Sequence, residues 1–327
     1  MKPSETDRRT FIKSSLLTPA AMALAAGTAV QGGAQEQEAT PAASGDGEGM
    51  PCGKIGDLQI SRMLLGGNLL THFTHSRDLK YVYRLTENYN TEEKIIETLA
   101  LSEQHGVNAL VIHTVPWALE VLRRHRRENG GKMQWIICPT AAVAPGMDEY
   151  RKSVEELVNN GTEAIYLWGV HGDRLVDEGK IDLINEAVEV AKEFGVPSGV
   201  GGHDLRVIEA CEENGIEADF YIKTFHHHKY PSSPRADEIT GPYNELPGYW
   251  CSDPEKTAEV MAKVKKPWIA FKVMAAGAIP PKDAFQYVFD HGADHMLAGM
   301  FDFEIEEDVK IAKEALANCN RTRPWFS

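Results

Sequence analysis

From Ser61 to Leu316 the chain alternates eight times between short apolar runs and amphipathic stretches, and few folds accept that rhythm. The apolar runs are residues 62–66, 107–113, 133–139, 163–170, 196–201, 219–224, 268–273 and 295–299. They are rich in β-branched and aromatic residues, as a strand buried on both faces of a parallel sheet must be. Between them, residues 92–104, 147–159, 181–194, 254–264, 281–290 and 304–315 repeat apolar side chains at helical spacing, with charges on the opposite face. Helices between strands force crossover connections, and eight such units in about 250 residues match a closed (β/α)8 barrel. A doubly wound open sheet fits less well: no Gly-x-Gly-x-x-Gly follows the first strand, and the pattern does not divide into two halves.

What precedes the barrel predicts a compartment. Arg8 and Arg9, then Thr10-Phe11-Ile12-Lys13, a mildly apolar run over 14–30 and small residues at Gly32-Gly33-Ala34, follow the layout of a twin-arginine export signal. The expected division is a signal peptide over 1–34, a disordered linker over 35–52 rich in Ala, Gly, Glu, Ser and Pro, and a catalytic barrel over 53–327. The export machinery is then a partner, and the protein is periplasmic or otherwise exported. No segment of the mature chain is long and apolar enough to span a bilayer.

A formal charge of −14 argues against nucleic acid as a partner, because phosphates would be repelled. The one basic cluster, Arg123, Arg124, Arg126 and Arg127 around His125, reads as a solvated helix face. Five cysteines are too scattered for a metal knuckle. Cys138 and Cys211 fall in core elements, which leaves Cys52, Cys251 and Cys319 as pairing candidates in an oxidising compartment.

Active sites of such barrels lie at the carboxyl ends of the strands. Here those ends carry Asn68 after Gly66-Gly67, His113, Thr140, His171 with Asp173, His203 with Asp204, Lys223 running into His226-His227-His228, Lys272 with Gly277, and Asp302 after Gly299. Four ends carry histidine and two carry lysine, a convergence that marks the mouth of an enzyme for a small-molecule substrate. The expected catalytic groups are Lys223, Lys272, His171 and His113; the expected substrate contacts are Asn68, His203, His226, Tyr230, Trp250, Gly277 and Asp302. Tyr230 and Trp250 sit in the longest loop, 225–252, with Tyr243 and Tyr249; aromatic side chains beside polar groups suit a sugar. A second irregular stretch, 69–90, carries His72, His75 and three tyrosines.

Residues 53–68, ending in Leu65-Gly66-Gly67-Asn68, resemble the amino-terminal hairpin and first strand of aldo/keto reductases. Residues 91–113 resemble that family's first helix and second strand, Ile165-Tyr166-Leu167-Trp168 its fourth strand, and residues 199–204 its Gly-Val-Ser-Asn segment. The resemblance implies the barrel; its Asp, Tyr, Lys and His tetrad is not reproduced. Val111 or His113 replaces the aspartate, Trp117 stands near the tyrosine's place and Thr140 replaces the lysine, with His171 as the histidine's counterpart. After the eighth strand, residues 301–308 are acidic where a nucleotide clamp would be basic, so NADP is not favoured.

Residues 218–224, with Lys223, and 271–279, with Lys272, resemble the sixth and seventh strands of deoxyribose-phosphate-type class I aldolases. That resemblance implies two ammonium groups in one mouth, their repulsion and desolvation freeing one amine to attack a carbonyl, or both binding an anionic group. A divalent metal is a further option, with His113, His171, His203 and one of His226, His227 and His228 joined by Asp173, Asp204 or Asp302. The leading expectation is lyase or isomerase chemistry on a small carbonyl-bearing or sugar-like substrate. A divergent aldo/keto-reductase-like oxidoreductase, a metal-dependent hydrolase or isomerase, and a non-catalytic carbohydrate-binding barrel stand as alternatives.

Overall fold

The structure is a computed structural model and describes residues 49–76, 79–235, 237–238 and 251–327. The expected signal peptide, nearly all of the expected linker and Trp250 lie outside the described residues.

The first element among the described residues is an antiparallel hairpin, β1 (Cys52–Ile55) and β2 (Leu58–Ser61). Packing begins before it, since Met50 is already buried. Eight parallel strands follow: β3 (Met63–Gly66), β4 (Ala109–His113), β5 (Gln134–Cys138), β6 (Ala164–Leu167), β7 (Ser198–Gly202), β8 (Phe220–Thr224), β9 (Trp268–Phe271) and β10 (His295–Ala298). They close in the order β10-β3-β4-β5-β6-β7-β8-β9, so the barrel expected from the alternation is the observed fold. The helices are α1 (Tyr81–Tyr89), α2 (Glu92–Gln104), α3 (Pro116–Asn129), α4 (Asp148–Asn159), α5 (Gly169–Asp177), α6 (Ile181–Glu193), α7 (Leu205–Glu213), α8 (Pro254–Met261), α9 (Pro281–Asp290) and α10 (Ile305–Asn318). Among the described residues, no helix is long and apolar enough to cross a membrane.

Strand alternation sorts side chains into two cores. Val111, Ile136, Phe220, Ile222 and Ile269 fill the barrel interior, while Leu110, Tyr221 and Trp268 face the helices. Ile55 and Ile60 of the hairpin join the interior cluster, so the hairpin plugs the amino-terminal end and leaves the carboxyl ends as the open mouth. The tail returns to the plugged end: Asp294, just before β10, is fully buried and accepts from Arg323 at 2.7 Å, and the guanidinium groups of Arg62 and Arg321 lie 4.0 and 3.4 Å from the centre of the Trp325 ring.

Two local expectations change. The run 163–170 is not one strand: β6 ends at Leu167 and α5 begins at Gly169, so His171 and Asp173 ride on a helix. The stretch 69–90 is not wholly irregular, because α1 occupies Tyr81–Tyr89. The cysteine pairing expectation also fails, since all five are free thiols, with Cys138, Cys211 and Cys251 buried.

In α10, Asp308 is buried beside Glu304 and Glu307, and burial first, then those two charges, pushes its carboxyl up to about 7. Its folded value lies above its unfolded one, so the folded state binds the proton more tightly and stability falls as pH rises toward 7. Asp308→Asn is therefore expected to be more stable than the parent above neutrality by about 1–2 kcal/mol, after allowance for solvent screening. The difference should vanish near pH ~4, and thermal melts at the two pH values check it.

Candidate active site

The mouth is organised around a buried acid–imidazole pair. On β7 the residues that share the interior face are glycines: a Cβ at Gly199 would meet the Phe220 ring at 2.5 Å. The next residue of that parity beyond the strand is His203, whose ring comes 5.7 Å from that of Phe271 at the top of the interior. His203 Nδ1 lies 2.7 Å from Asp173 Oδ2, and Asp173 Oδ1 accepts the backbone N–H groups of His203 and Asp204, both at 2.9 Å. The carboxylate accepts from Nδ1–H, which in the neutral ring makes Nε2 the unprotonated nitrogen. Burial lowers the His203 pKa and Asp173 opposes it, while Lys272 and Lys223 push the same way as burial.

Asp173 reaches β7 because Gly172 precedes it. A Cβ at Gly172 would come 2.5 Å from the Gly201 carbonyl oxygen, so only glycine lets α5 lie this close to the strand.

The other side of the mouth belongs to β9 and β3. Lys272 follows β9 with φ 58°, a left-handed turn that swings its ammonium over the Phe271 ring, 5.0 Å from the centroid. Its Nζ lies 3.0 Å from His75 Nε2, and Asn68 Nδ2 lies 2.9 Å from the same nitrogen. Two donors on one ring nitrogen require that nitrogen to be the acceptor, so His75 is neutral. Burial first, then Lys272, lowers its pKa to about 2. Phe73 packs edge-on against His75 at 4.5 Å and near His113 at 6.5 Å, and burial lowers the His113 pKa as well. Asp173, His203, Lys272, His75, Asn68 and His113 thus converge on one opening. Sequence reasoning does not single out His75 or Asp173 as leading groups: the first sits in a stretch without pattern, and the second enters there only as a metal ligand.

Several expected site residues lie elsewhere. Lys223 has the outward parity of β8 and does not enter the mouth. Its side chain is 1% exposed and donates to the His203 and Thr224 carbonyl oxygens at 2.7 and 2.9 Å and to Thr224 Oγ1 at 2.9 Å. The expected lysine pair therefore does not form; burial lowers the Lys223 pKa, and Cys251, Asp173 and Asp204 oppose it. His171, on α5, turns its Nε2 to the Ala141 carbonyl oxygen at 3.0 Å and its ring edge to Trp168. His226 and Tyr230 are buried beside one another rather than lining the opening. Asp302 accepts from Tyr89 at 2.6 Å and Lys94 at 3.0 Å, an ion pair on the outer rim. Gly277 has φ 82° in the turn after β9, with open space where a Cβ would stand.

The proposed metal ligands do not assemble either. Among the described residues no three His, Cys, Asp or Glu side chains converge to hold a metal ion. His203 is committed to Asp173, His171 to a carbonyl, and Asp204 caps α7 and pairs with Arg206. After β10, Glu304 accepts from the Phe301 N–H at 2.8 Å.

No family model matches the chain, and no curated protein matches it. Similar solved structures include a truncated 3-deoxy-D-arabino-heptulosonate 7-phosphate synthase from Thermotoga maritima, 11% identical, with a TM-score of 0.48 over 82% of this chain and 92% of that one. A phospho-2-dehydro-3-deoxyheptonate aldolase from the same organism is also 11% identical, with a TM-score of 0.48 over 82% of this chain and 74% of that one. A mandelate oxidase mutant with the C4a-OH-FMN adduct is 12% identical, with a TM-score of 0.48 over 84% of this chain and 80% of that one. All three are enzymes, and none lends residue roles to this mouth.

Proposed function

We propose that this barrel is an enzyme that moves a proton on a small carbonyl-bearing or sugar-like substrate, in isomerase or lyase chemistry. The observation that carries the reading is the Asp173–His203 pair, 2.7 Å apart, in which the carboxylate at Nδ1 makes Nε2 the basic nitrogen of a ring near enough to Lys272 to feel its charge. In this reading His203 Nε2 takes a proton from the carbon beside the carbonyl, and Asp173 stabilises the imidazolium that forms. The Lys272 ammonium, steered by neutral His75, neutralises charge developing on the carbonyl oxygen. Asn68 holds His75 in place, and the His203 imidazolium returns the same proton to a second carbon or to the leaving group, which regenerates the neutral base; His113, near Phe73 at the same opening, is placed to contact the substrate. In this reading the electrophilic stabiliser is Lys272, the lysine whose ammonium stands in the mouth, and not Lys223. Export through the twin-arginine route is part of the proposal and is supported by the sequence of residues 8–34.

The test works whatever product forms. Aldoses, ketoses and small keto acids are incubated with the protein in D2O, and loss of the C–H signal beside the carbonyl is followed by NMR. Exchange is expected with at least one sugar-like compound and should fall by about 10²-fold in Lys272→Met, as for loss of one oxyanion-stabilising group. Reduction with borohydride during turnover should leave Lys223 unmodified. Absence of exchange across the panel, or exchange indifferent to Lys272→Met, overturns the reading.

A further inference from the structure

A fully buried lysine ammonium needs a reason, because taking it out of water costs several kcal/mol unless its protons and charge are answered. Lys223 answers all three protons on a single small region, the main chain at the end of β7 and of its own strand. The His203 carbonyl oxygen receives Lys223 Nζ at 2.7 Å and the Thr224 hydroxyl at 3.0 Å, and that hydroxyl in turn accepts from Lys223. On the opposite side of the same residue, Asp173 takes both the His203 N–H and the imidazole Nδ1. His203 is thus gripped at its carbonyl, its amide and its ring.

We propose that Lys223 is the positioning residue of the Asp173–His203 pair, fixing the His203 main chain from within the barrel wall and balancing the charge behind the imidazole. This rests on the reading of His203 as the proton-transferring group. Lys223 touches no substrate in this arrangement; it lines a cavity of about 230 Å³ together with Asp204 and Arg206 at the start of α7 and Asp253 and Lys256 at the start of α8. Burial lowers the Lys223 pKa, and Cys251 before α8, Asp173 on α5 and Asp204 at the start of α7 oppose it, so the ammonium is held by these groups and by its three acceptors. The charged and titratable groups that face His203 are Asp173, Lys223, Lys272 after β9 and His75 from the segment after β3. Lys223 and Lys272 both disfavour the imidazolium, and Asp173 favours it. Removing Lys223 leaves Asp173 less compensated and deletes one of the two opposing charges, so both consequences raise the proton affinity of His203.

The experiment reads His203 directly, without substrate, from the pH titration of its imidazole resonances in 15N-labelled protein, assigned by their loss in His203→Asn. Lys223→Met is expected to raise the His203 titration midpoint by about one unit, a tenfold gain in proton affinity, and Lys223→Arg to restore it most of the way. Thr224→Val, which keeps the charge and deletes only the hydroxyl bridge, should move it in the same direction by less. If Lys223→Met does not fold, Thr224→Val decides alone. A His203 titration unmoved in the folded variants overturns the proposal, as does Lys223→Arg behaving like Lys223→Met. A His203 that titrates as expected in a protein without exchange activity would instead remove the proposed function and leave this grip on His203 standing.

Discussion

Replacing His203 with asparagine lowers proton exchange on the substrate by about 10²–10⁴-fold, the range expected for loss of a positioned general base. The amide is shorter than the imidazole and has no basic nitrogen at the mouth, yet its polar end can stay against Asp173, so the buried carboxylate keeps a partner. Stability should therefore change little while turnover collapses, a separation that circular dichroism melts and exchange rates measured side by side will show. The pH profile of the parent protein gives the same residue a second signature. Burial first, with Lys272 and Lys223 in the same direction and Asp173 opposing, holds the His203 pKa below its ordinary value. The acid limb of kcat/KM should lie below pH ~6.5 and disappear from what remains in His203→Asn. An acid limb that survives the substitution would assign the base elsewhere in the mouth, His113 being the next imidazole there.

Asp294→Ala is expected to destabilise the fold by about 3–5 kcal/mol, the cost of stripping the partner from buried charges. Asp294 is fully buried at the plugged end of the barrel. One oxygen accepts from Arg323 at 2.7 Å and the Trp268 N–H at 3.1 Å; the other accepts from the Phe326 N–H at 2.9 Å and faces Arg321 at 3.5 Å. Arg62 adds a third guanidinium, on the Asp294 carbonyl oxygen at 3.0 Å. Burial lowers the pKa of each of the three arginines, and Asp294 opposes that effect at all three. Alanine leaves the three guanidinium groups, Arg62 and Arg321 over Trp325 and Arg323 over Phe326, with no carboxylate side chain between them, and the tail should loosen from the plugged end. Urea titration should give a lower midpoint with an unchanged slope, and a loss under about 1 kcal/mol would show that the tail is only an accessory.

How much of the molecule is legible in its sequence follows from which interactions are local. Strands and helices repeat with fixed periods, so the two cores and the eightfold closure can be read from residues such as Val111, Ile136, Phe220 and Ile222 alone. The hairpin and the crowding of histidine and lysine at the strand ends are equally visible. Direction within the mouth is not. Lys223 and Lys272 look equivalent in sequence, each at a strand end; parity turns the first into the wall, and a single left-handed residue turns the second over the opening. Asp173 is expected just past a strand, whereas a helix that starts at Gly169 carries it to β7, and His75 belongs to a stretch with no periodicity at all. The sequence by itself determined the barrel and the end of it that bears the chemistry, because burial of apolar faces repeats along the chain. Only the tertiary structure decided which side chains share that opening, because the pairings of Asp173 with His203 and of Lys272 with His75 join residues 30 and 197 positions apart, and no local pattern encodes contacts at those separations.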